Sequence, residues 1–514
     1  MYPKYSYIKK QDIKKLRTIN RASAYQNNKK YLKEQDNLYH ELLDNINGYP
    51  LDSYQRKVVY SNEDHTIVIA GAGCGKTTTM IGKIKYLINV SKIAPEDIIA
   101  ISFTNESANS LKKALENNNI YNVYTSTFHK LALNYVDKSS IVSDNYLDFI
   151  INEYFYSCNN RTKAIICKAF GISNYEELFK DNYINYKKMV KKTLMLCHTN
   201  DFTIKDFMKI KNKINKLFFK RLSLLCYLYL IIDLYYLYEE EKSSTDAIDF
   251  DDMIIKATNN LSKHKLNTKY VIVDEYQDTS LVRVKFLQEF IRLSKAKLLV
   301  VGDDYQSIYR FNGCDINIFL NFKKYFANPK TFKLKNTYRN SQQLINISVN
   351  FILKNPFQIN KKLVSTKRLD CPIKIIYYNE KNRKSKFSKL LKYVNNKYGN
   401  YLILGRNNFD INHYIDTQVN YLTVHKSKGL EADNIIIINL ENSCYGFPIK
   451  LKDSRIEKIF FNNKQKYPYD EERRLFYVAL TRTKNYVFLY VNKSNPSIFV
   501  KELIKDNTTQ EIRI

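Results

Sequence analysis

The amino-acid sequence predicts an α/β fold with parallel sheets, and three short apolar runs support this prediction. Residues 66–69 form a β-branched run that enters a glycine-rich turn and leaves it as a helix near Lys76. Residues 270–273 and 298–301 are apolar runs that end in acidic residues. In open α/β sheets, ligand-binding side chains follow the carboxyl ends of strands in this way. From about residue 330 a second α/β unit begins.

The turn after the first run matches the phosphate-loop pattern G-x-x-x-x-G-K-[ST] except at its first position, which is Ala70. Three of the 12 glycines of the chain lie here, where backbone N–H groups must approach a polyphosphate. Lys76 is predicted to reach the β- and γ-phosphates and Thr77 to hold Mg²⁺; an ordinary glycine-rich turn is the alternative. The predicted nucleotide-binding residues of the loop are Ala70, Gly71, Ala72, Gly73, Cys74, Gly75, Lys76, Thr77 and Thr78.

Composition bounds the class of protein. The 514 residues suffice for several domains, and the net charge is +31. This charge favours a polyanionic partner such as nucleic acid. An A+T-biased genome is the alternative explanation, because Lys, Asn, Ile and Tyr are abundant together. The charge alone does not decide between the two.

Cysteine use and hydropathy predict a soluble, intracellular protein. The 8 cysteines form neither a C-x-x-C motif nor a Cys/His cluster, so neither zinc nor a disulfide framework is indicated. No signal peptide is visible at the N-terminus. The most apolar stretch, residues 224–238, contains Asp233 and is too short to cross a membrane. We expect it to be a buried helix.

Two regions of the chain carry no phosphate or acid–base motif. Residues 1–46 are Tyr- and Asn-rich, and we expect a partly helical, solvated extension rather than a dedicated binding arm. Residues 137–248 have a basic, helical pattern and are predicted to be an insertion into the first α/β unit. Residues 247–254 return the chain to that unit.

An acidic pair about 200 residues after the phosphate loop is the second anchor of the sequence. Asp274 is predicted to hold the Mg²⁺ water shell, and Glu275 to polarise the attacking water. Acidic pairs after strands are common, but this one is followed by Gln277-Asp278, which makes it more specific. After the next strand, Gln306 is predicted to sense a γ-phosphate.

Other side chains are suited to a nucleotide. The amide of Gln55 has the donor and acceptor that an adenine edge requires, and Tyr338 is a candidate stacking partner. Arginine binds phosphate with a planar fork. The arginines that stand out are Arg310, Arg339, Arg406, Arg473, Arg474 and Arg482. Arg482 comes from the second unit and is predicted to cap the γ-phosphate as an arginine finger.

Aromatic and hydroxyl side chains occur where predicted strands meet helices. Phe103, Thr104 and Asn105 form one such junction, and Thr127 and His129 lie at another. These side chains suit base stacking and phosphate contact. A core phenylalanine beside a helix cap is the alternative. Phe311 is a further candidate platform for a base.

Eight segments, in order along the chain, resemble the motifs of the UvrD/Rep family of superfamily 1A helicases. The segments are AGAGCGKT, FTNESA, TFHKLAL, VDEYQD, GDDYQSIYRFNG, TYRN, TVHKSKGLEAD and EERRLFYVALTRTK. The resemblance covers about residues 47–490. It is strongest to the helicase IV branch, which explains Phe311 where most relatives carry Trp.

The resemblance implies two RecA-like P-loop domains with a helical insertion. The implied divisions are a basic extension 1–46, domain 1A at 47–135 and 246–328, helical subdomain 1B at 136–245, and domain 2A at 329–514. The family usually inserts a large 2B subdomain between the equivalents of Arg406 and Tyr421. Here the short segment 407–420 takes its place, so 2B is absent.

The resemblance also implies the site residues. ATP and Mg²⁺ would lie between the domains, with Gln55 and Tyr338 at the base and Glu431 at the ribose. The implied catalytic residues are Lys76, Asp274, Glu275, Gln306, Arg339 and Arg482, with Thr77 and Asp274 at the metal. The implied DNA-binding residues are Phe103, Thr104, Asn105, Thr127, His129, Phe311 and His425.

By resemblance, the protein is an ATP-dependent 3′→5′ DNA helicase that translocates on single-stranded DNA and unwinds tailed duplex DNA in replication, repair or recombination. Protein partners from these processes are expected but not identified. Loss of 2B leaves an alternative, a translocase that remodels protein–DNA complexes and unwinds little. A non-catalytic nucleic-acid-binding scaffold is the third hypothesis, and the complete set of catalytic residues argues against it. RNA also remains open as a substrate, because backbone tracking need not read the 2′-OH.

Overall fold

The computed structural model describes residues 30–137, 140–142, 145–180, 182–217, 221–450, 459–460, 467–506 and 508–513. Within these residues the chain forms two six-stranded sheets, a two-stranded pair and a helical insertion. All strand pairs within the sheets are parallel. The predicted α/β class with parallel sheets is confirmed.

The strands of the described residues are numbered in chain order. They are β1 (His65–Ile69), β2 (Ile98–Ser102), β3 (Tyr124–Thr127), β4 (Ser140–Ile141), β5 (Ala247–Ile248), β6 (Tyr270–Val273), β7 (Lys297–Gly302), β8 (Lys330–Lys333), β9 (Ile373–Tyr378), β10 (Tyr401–Gly405), β11 (Tyr421–Thr423), β12 (Asn434–Ile437), β13 (Val487–Asn492) and β14 (Gln510–Glu511). The first sheet has the order β3-β2-β6-β7-β1-β8, and the second β11-β10-β12-β13-β9-β14.

The first sheet is buried on both faces, as its apolar strands require. Its helices are Ser53–Tyr60, Lys76–Asn89, Asn105–Glu116, Phe128–Ala132, Phe250–Asn260, Leu281–Ser294 and Ile316–Leu320. Two apolar clusters fill the space between sheet and helices, one on each face. Because β1, β2, β6 and β7 are parallel, their carboxyl ends meet at one edge. That edge carries the phosphate loop and the acidic residues.

The second sheet repeats this plan with its own core. Its helices are Gln342–Leu353, Arg383–Tyr398, Asp470–Leu480 and Ile498–Lys505. The central strands β12 and β13 are fully buried, and apolar clusters lie on both faces. The edge that faces the first sheet carries Arg482, just after the end of helix Asp470–Leu480.

A helical insertion lies between β3 and β6 and has a core of its own. Its helices are Tyr146–Ser157, Asn160–Phe170, Tyr183–Thr199, Ile204–Asn215 and Arg221–Ser244. The pair β4–β5 joins its start to its end. Residues 224–238 lie within helix Arg221–Ser244, which has 24 residues, so the expectation that this stretch is too short to cross a membrane is wrong. It is the one described helix that is long and apolar enough to do so. Its buried residues belong to the insertion core, which is typical of the central helix of a bundle.

The structure corrects two expectations about the first domain. Residues 1–29 of the predicted extension lie outside the described residues. Near its end, Leu43 and Ile46 are fully buried in the core, so the extension is not solvated at these two positions. Arg56 pairs with Asp36 and Asp44, which holds the segment against the domain. The predicted division at 328 also falls too early, because β8 pairs with β1.

Candidate active site

The phosphate loop connects β1 to helix Lys76–Asn89. Gly73 and Gly75 have φ of +68° and +70°, a left-handed conformation that favours glycine. A Cβ on Gly73 would lie 2.5 Å from Cβ of Arg339, and one on Gly75 would lie 2.5 Å from Nε2 of Gln55. Both glycines are therefore required by backbone conformation and by close packing.

The remaining loop residues divide into buried supports and accessible groups. Ala70, Gly71, Ala72 and Cys74 are buried, and the N–H of Ala70 donates to the carbonyl of Gly302 at 2.9 Å, which ties the loop to β7. Thr77 is exposed and Thr78 half-buried in the first turn of the helix. The exposed helix N-terminus is the part of the loop that a phosphate can reach.

Lys76 is paired across the loop with Glu275. Its Nζ lies 2.5 Å from Oε1 of Glu275. Burial disfavours the charged lysine, but Glu275, Asp274 and nearby Asp303 outweigh it and raise the pKa of Lys76. The Lys76 side chain therefore stays charged and faces the carboxylate of Glu275.

The acidic pair after β6 has a strained backbone and opposite pKa shifts. Glu275 has φ of +49°, which is unusual for a residue with a side chain and is typical of functional sites. Burial, together with the charge of Glu275, raises the pKa of Asp274. Burial acts on Glu275 too, but Lys76 and Lys428 outweigh it and lower the pKa of Glu275. Glu275 is thus the carboxylate that stays ionised.

Gln306 lies at the centre of a series of polar contacts that crosses the cleft between the two domains. Its Nε2 donates to Oδ2 of Asp303 at 2.6 Å, and its Oε1 accepts from Arg482 of the second domain at 2.7 Å. Burial and the neighbouring Arg339 lower the pKa of Arg482 to about 10, so the guanidinium remains charged at neutral pH. Gln306, the predicted γ-phosphate sensor, and Arg482, the predicted arginine finger, are therefore in contact with each other.

Arg339 and Glu431, predicted at the phosphates and the ribose, pair with each other. Nε of Arg339 donates to Oε2 of Glu431 at 2.9 Å. Tyr338 is 61% exposed, and its hydroxyl donates to Asp52 at 2.7 Å. Its ring is accessible beside the phosphate loop, where its backbone N–H donates to Gly73.

Gln55 lies under the phosphate loop with both amide atoms occupied. Its Oε1 accepts from the N–H of Asp52 at 2.9 Å, in a capping box, and its Nε2 donates to the carbonyl of Cys74 at 3.2 Å. Reading an adenine edge would require these bonds to exchange. Through its bond to Cys74, Gln55 supports the loop.

The residues that we predict for Mg²⁺ fit a magnesium site. Thr77 offers an accessible hydroxyl, and Asp274 offers a carboxylate whose Oδ1 accepts from the N–H of Glu275 at 2.8 Å. Among the described residues, no group of three or more His, Cys, Asp or Glu side chains forms a metal cage. Mg²⁺ commonly takes few protein ligands together with substrate phosphates and water.

An aromatic cluster lies on the other side of the Gln306 segment. The rings of Phe103 and Tyr309 stack at 5.5 Å, and Phe311 lies 6.0 Å from Tyr309 and 5.4 Å from His425. Phe311 is 48% exposed. Three residues predicted to bind DNA, Phe103, Phe311 and His425, are thus brought together across both domains.

The other predicted DNA residues are more dispersed. Thr104 and Thr127 cap helices, accepting from the N–H groups of Ser107 and Lys130, as the helix-cap alternative predicted. Asn105 is exposed in the first turn of its helix. His129 packs edge-on against Phe250 at 5.2 Å, and Phe250 is 48% exposed.

Sequence reasoning missed several residues of this region. Tyr309 is the hub of the aromatic cluster, and the guanidinium of Arg283 lies 5.0 Å from the ring of Phe103. Lys428 lies 4.7 Å from the ring of Tyr309, contacts Oδ2 of Asp278, and donates to the carbonyl of Gln306 at 2.7 Å. Tyr309 and Lys428 lie inside two of the eight family segments, so the sequence contained a signal that could have identified them. Arg283 lies outside those segments, and no sequence pattern indicates it.

Besides Arg339, three of the conspicuous arginines form ion pairs at helix Asp470–Leu480. Arg310 pairs with Glu471 at 2.9 Å, Arg406 with Glu472 at 2.8 Å and Arg473 with Glu502 at 2.7 Å. Arg474 donates to the carbonyl of Ser307 at 2.6 Å. These four arginines connect helix Asp470–Leu480 to the segments that pack around it.

Comparisons with known proteins agree with this site. The UvrD/REP helicase N-terminal domain model matches residues 51–327, and the UvrD-like helicase C-terminal domain model matches residues 412–494. DNA helicase IV of Escherichia coli (strain K12) is 27% identical over 94% of this chain and 74% of its own length. ATP-dependent DNA helicase Rep of Buchnera aphidicola subsp. Baizongia pistaciae is 29% identical over 70% of this chain and 52% of its own length.

A third relative, ATP-dependent DNA helicase PcrA of Bacillus subtilis (strain 168), is 26% identical over 65% of this chain and 43% of its own length. The chain thus spans about three quarters of the helicase IV relative and about half or less of the other two. The N-terminal model alone covers more than half of the chain. The chain therefore belongs to the UvrD/Rep family of ATP-dependent DNA helicases, as its motifs predict.

Proposed function

We propose that this protein is an ATP-dependent DNA helicase that translocates 3′→5′ on single-stranded DNA and unwinds tailed duplexes in replication, repair or recombination. ATP and Mg²⁺ are the proposed substrate and cofactor. The 3′→5′ direction rests on the family resemblance alone, because no contact within the protein indicates a direction of movement. The relatives are named DNA helicases, which supports DNA as the partner. Since those relatives are bacterial enzymes, we also propose a soluble, intracellular location.

One observation supports this function above the others: Lys428 joins the two sides of the cleft. Its ammonium contacts Asp278 and the carbonyl of Gln306 on the nucleotide side, and it lies over the ring of Tyr309 on the aromatic side. A change in the position of Gln306 therefore acts on the same side chain that contacts the aromatic cluster. A hydrogen-bonded network of this kind can couple hydrolysis to strand movement.

The side chains suggest how hydrolysis proceeds. Lys76 exchanges Glu275 for the β- and γ-phosphates, which frees the ionised Glu275 to orient and deprotonate the attacking water. Arg482 leaves Gln306 for the γ-phosphate and stabilises its developing charge. Thr77 and Asp274 would hold Mg²⁺, which would supply neutralisation of the phosphate charge. Loss of the γ-phosphate returns Arg482 to Gln306.

Strand separation on tailed duplexes tests the proposal. Matched DNA duplexes with a 3′ or a 5′ single-stranded tail are incubated with ATP and Mg²⁺, with Lys76→Ala as the inactive control. We expect separation from the 3′-tailed duplex only. Separation from the 5′ tail would overturn the polarity, and equal activity of Lys76→Ala would overturn the site. An RNA tail in a parallel reaction tests whether DNA is preferred.

A single-strand translocase with little unwinding is the second candidate, and the short connection between β10 and β11 favours it. In the described chain, residues 407–420 contain only the short 3₁₀ turn Asp410–His413 where relatives of this family carry a large subdomain. DNA-stimulated ATPase without strand separation would support this candidate. Displacement of a protein block from single-stranded DNA would then measure its activity.

A further inference from the structure

A buried lysine lies behind Gln306 on residues 354–372, which connect helix Gln342–Leu353 to β9. Lys361 is 4% exposed, and its ammonium contacts the carboxylates of Asp303 and Asp304, at 2.6 Å for Asp304. Both carboxylates are fully buried. The same ammonium lies 3.8 Å from the ring centroid of Tyr305. Two adjacent buried carboxylates need a cation of this kind, because an unpaired buried charge is costly.

Asp303 connects this lysine to the nucleotide side of the cleft. One of its oxygens, Oδ1, contacts Lys361 and accepts the N–H of Tyr305 at 3.1 Å. The other, Oδ2, accepts from Nε2 of Gln306 at 2.6 Å. Lys361, Asp303 and Gln306 therefore form a continuous chain, which continues through Oε1 of Gln306 to Arg482.

These contacts fix the orientation of the Gln306 amide. An ionised carboxylate only accepts hydrogen bonds, so Gln306 must present its NH₂ group to Asp303 and its carbonyl oxygen to the cleft. Lys361 contacts Oδ1 of Asp303 and so holds the carboxylate in the position where its Oδ2 accepts from the Gln306 amide. Without that contact the carboxylate can turn, and it no longer holds the amide in one orientation.

The segment that carries Lys361 also touches the phosphate loop and the strand end before Gln306. The N–H of Ile359 donates to Asp304 at 2.9 Å, and its carbonyl accepts from the Tyr305 hydroxyl at 2.6 Å. Leu363 packs so close to Gly71 that a Cβ there would lie 2.6 Å from its Cδ1. Lys361 is therefore held by the connection between domains, next to both nucleotide-binding elements.

We propose that Lys361 is a positioning residue for ATP hydrolysis: through Asp303 it holds the Gln306 carbonyl oxygen toward Arg482 and the site of the attacking water. This inference rests on the proposed ATPase function. Lys361 touches neither the nucleotide nor the reacting atoms; it acts on Gln306. Movement of the connecting segment when the domains close is thereby transmitted to the Gln306 amide.

A double-mutant cycle tests whether Lys361 acts through Gln306. DNA-stimulated ATP hydrolysis is measured for the full chain, Lys361→Met, Gln306→Ala and the double variant. We expect Lys361→Met to lower kcat about 10- to 100-fold, because small misplacements of catalytic groups have effects of this size. In the Gln306→Ala background the same substitution should lower kcat less than about twofold, since the group that it positions is gone. ATP binding, measured without turnover, should change little.

Lys83→Met is the matched control. Lys83 is also a buried lysine of the first domain, 1% exposed, but it donates to the carbonyls of Val59 and Ser61 rather than to carboxylates. Its loss should lower kcat equally in both backgrounds or not at all. Asp303→Asn serves as a second probe if Lys361→Met does not fold, and its effect on kcat should likewise disappear without Gln306.

The outcomes separate this inference from the proposed function. Equal losses from Lys361→Met in both backgrounds, or no loss in either, would overturn the positioning role. Wild-type kcat in Gln306→Ala would do so too, because there would be nothing to position. If the unsubstituted chain hydrolyses ATP no faster than Lys76→Ala, the proposed function fails first and this inference fails with it.

Discussion

The two sides of the cleft between the domains differ in charge, burial and pairing. The nucleotide side contains the phosphate loop, the acidic pair, Gln306 and Arg482. The aromatic cluster around Tyr309 forms the other side, which we propose binds nucleic acid and call the nucleic-acid side. On the nucleotide side, Lys76, Gln306 and Arg482 are engaged with other side chains of the protein. On the nucleic-acid side, aromatic rings dominate, and Phe311 is half exposed. In the function that we propose, ATP would bind where side chains already pair with one another, whereas a base would stack on the accessible ring of Phe311.

This difference indicates where each ligand gains its binding energy. Charge exchange on the nucleotide side costs the bonds that are broken, so net binding depends on closing the cleft around the triphosphate. Stacking on the nucleic-acid side adds contacts without breaking ion pairs. The segment from Gln306 to Gly313 borders both sides and contacts Lys428, so we expect one ligand to affect the other through this segment and Lys428.

Removal of Arg482 should have the largest effect. Arg482→Ala eliminates the cation from the second domain that would stabilise the transferred phosphoryl group, and we expect kcat to fall about 10³-fold or more. Steady-state ATPase in the presence of single-stranded DNA measures this. Arg406→Ala, an arginine paired with Glu472 in the second domain, is the control. A loss of similar size in the control would contradict the special role of Arg482.

Glu275→Gln should separate binding from turnover. The amide keeps the shape of the side chain but cannot accept a proton, so we expect kcat to fall at least about 10²-fold. ATP affinity should be retained or increase, because Lys76 loses the negative partner that competes with the phosphates. A fluorescent ATP analogue measures affinity, and single-turnover hydrolysis measures the chemical step. Wild-type kcat in this variant would exclude Glu275 as the base.

Aromatic substitutions should affect opposite sides of the cleft. Tyr309→Ala removes the ring that stacks on Phe103, and single-stranded DNA affinity should fall by about 1–3 kcal/mol, or about 5- to 150-fold. Tyr338→Ala removes an exposed ring beside the phosphate loop and should raise KM for ATP instead. Fluorescence anisotropy with a labelled oligonucleotide measures the first effect. Equal loss of DNA affinity in both variants would contradict the assignment of Tyr309 and Tyr338 to different sides of the cleft.

Gly313→Ala tests the contact between the helical insertion and the Gln306–Gly313 segment. Gly313 has φ of +77°, and an added Cβ would lie 2.2 Å from Cγ2 of Thr199. We expect the free energy of unfolding to fall by about 1–3 kcal/mol. Gly171→Ala is the matched control, with φ of +70° and open space around the added methyl.

The difference between these two glycine variants isolates the clash from the backbone penalty. It should shrink when Thr199→Ala is added to Gly313→Ala, because the methyl group in conflict is removed. Thermal unfolding followed by circular dichroism measures both. Identical unfolding temperatures for Gly313→Ala and Gly171→Ala would show that Thr199 moves away from the added methyl group with no loss of stability.

The sequence predicted the fold well because both sheets are built from short, buried, β-branched runs. It also identified the family, since motif order is a property of the chain alone. It did not predict that Gln55 forms a capping box with Asp52, or that Arg473 pairs with Glu502. The Arg473 pairing depends on residues distant in sequence, and in both cases the motif names a residue type without naming its partner.

Tyr309 and Lys361 show two different limits of sequence reasoning. Tyr309 lies in a recognised segment next to Phe311, but only the packed structure reveals that it is the ring in contact with Phe103, Phe311 and His425. Lys361 is one of many lysines in a strongly basic chain. Its burial against Asp303 and Asp304 is what distinguishes it, and burial of one lysine cannot be inferred from composition.

The smallest effect that we expect concerns pH, and it tests whether the nucleic-acid side is neutral. Burial, helped by Arg406 and Lys428, lowers the pKa of His425 to about 4. Burial and Arg283, opposed by Asp249, lower that of His129 to about 4. Both groups are therefore neutral between pH 6 and 8. Single-stranded DNA affinity at constant ionic strength should change less than about twofold over this range.

The same pKa shifts set the sign of a stability effect. Between about pH 4 and 6.5 the unfolded chain binds protons at these two histidines that the folded chain does not, so their contribution to stability falls as pH is lowered through this window. His425→Gln should weaken this loss, as measured by urea unfolding at pH 5 and pH 7. If DNA binding instead tightened severalfold at pH 6 and His425→Gln abolished the gain, a protonated histidine would be contacting phosphate. The nucleic-acid side would then use charge exchange as the nucleotide side does.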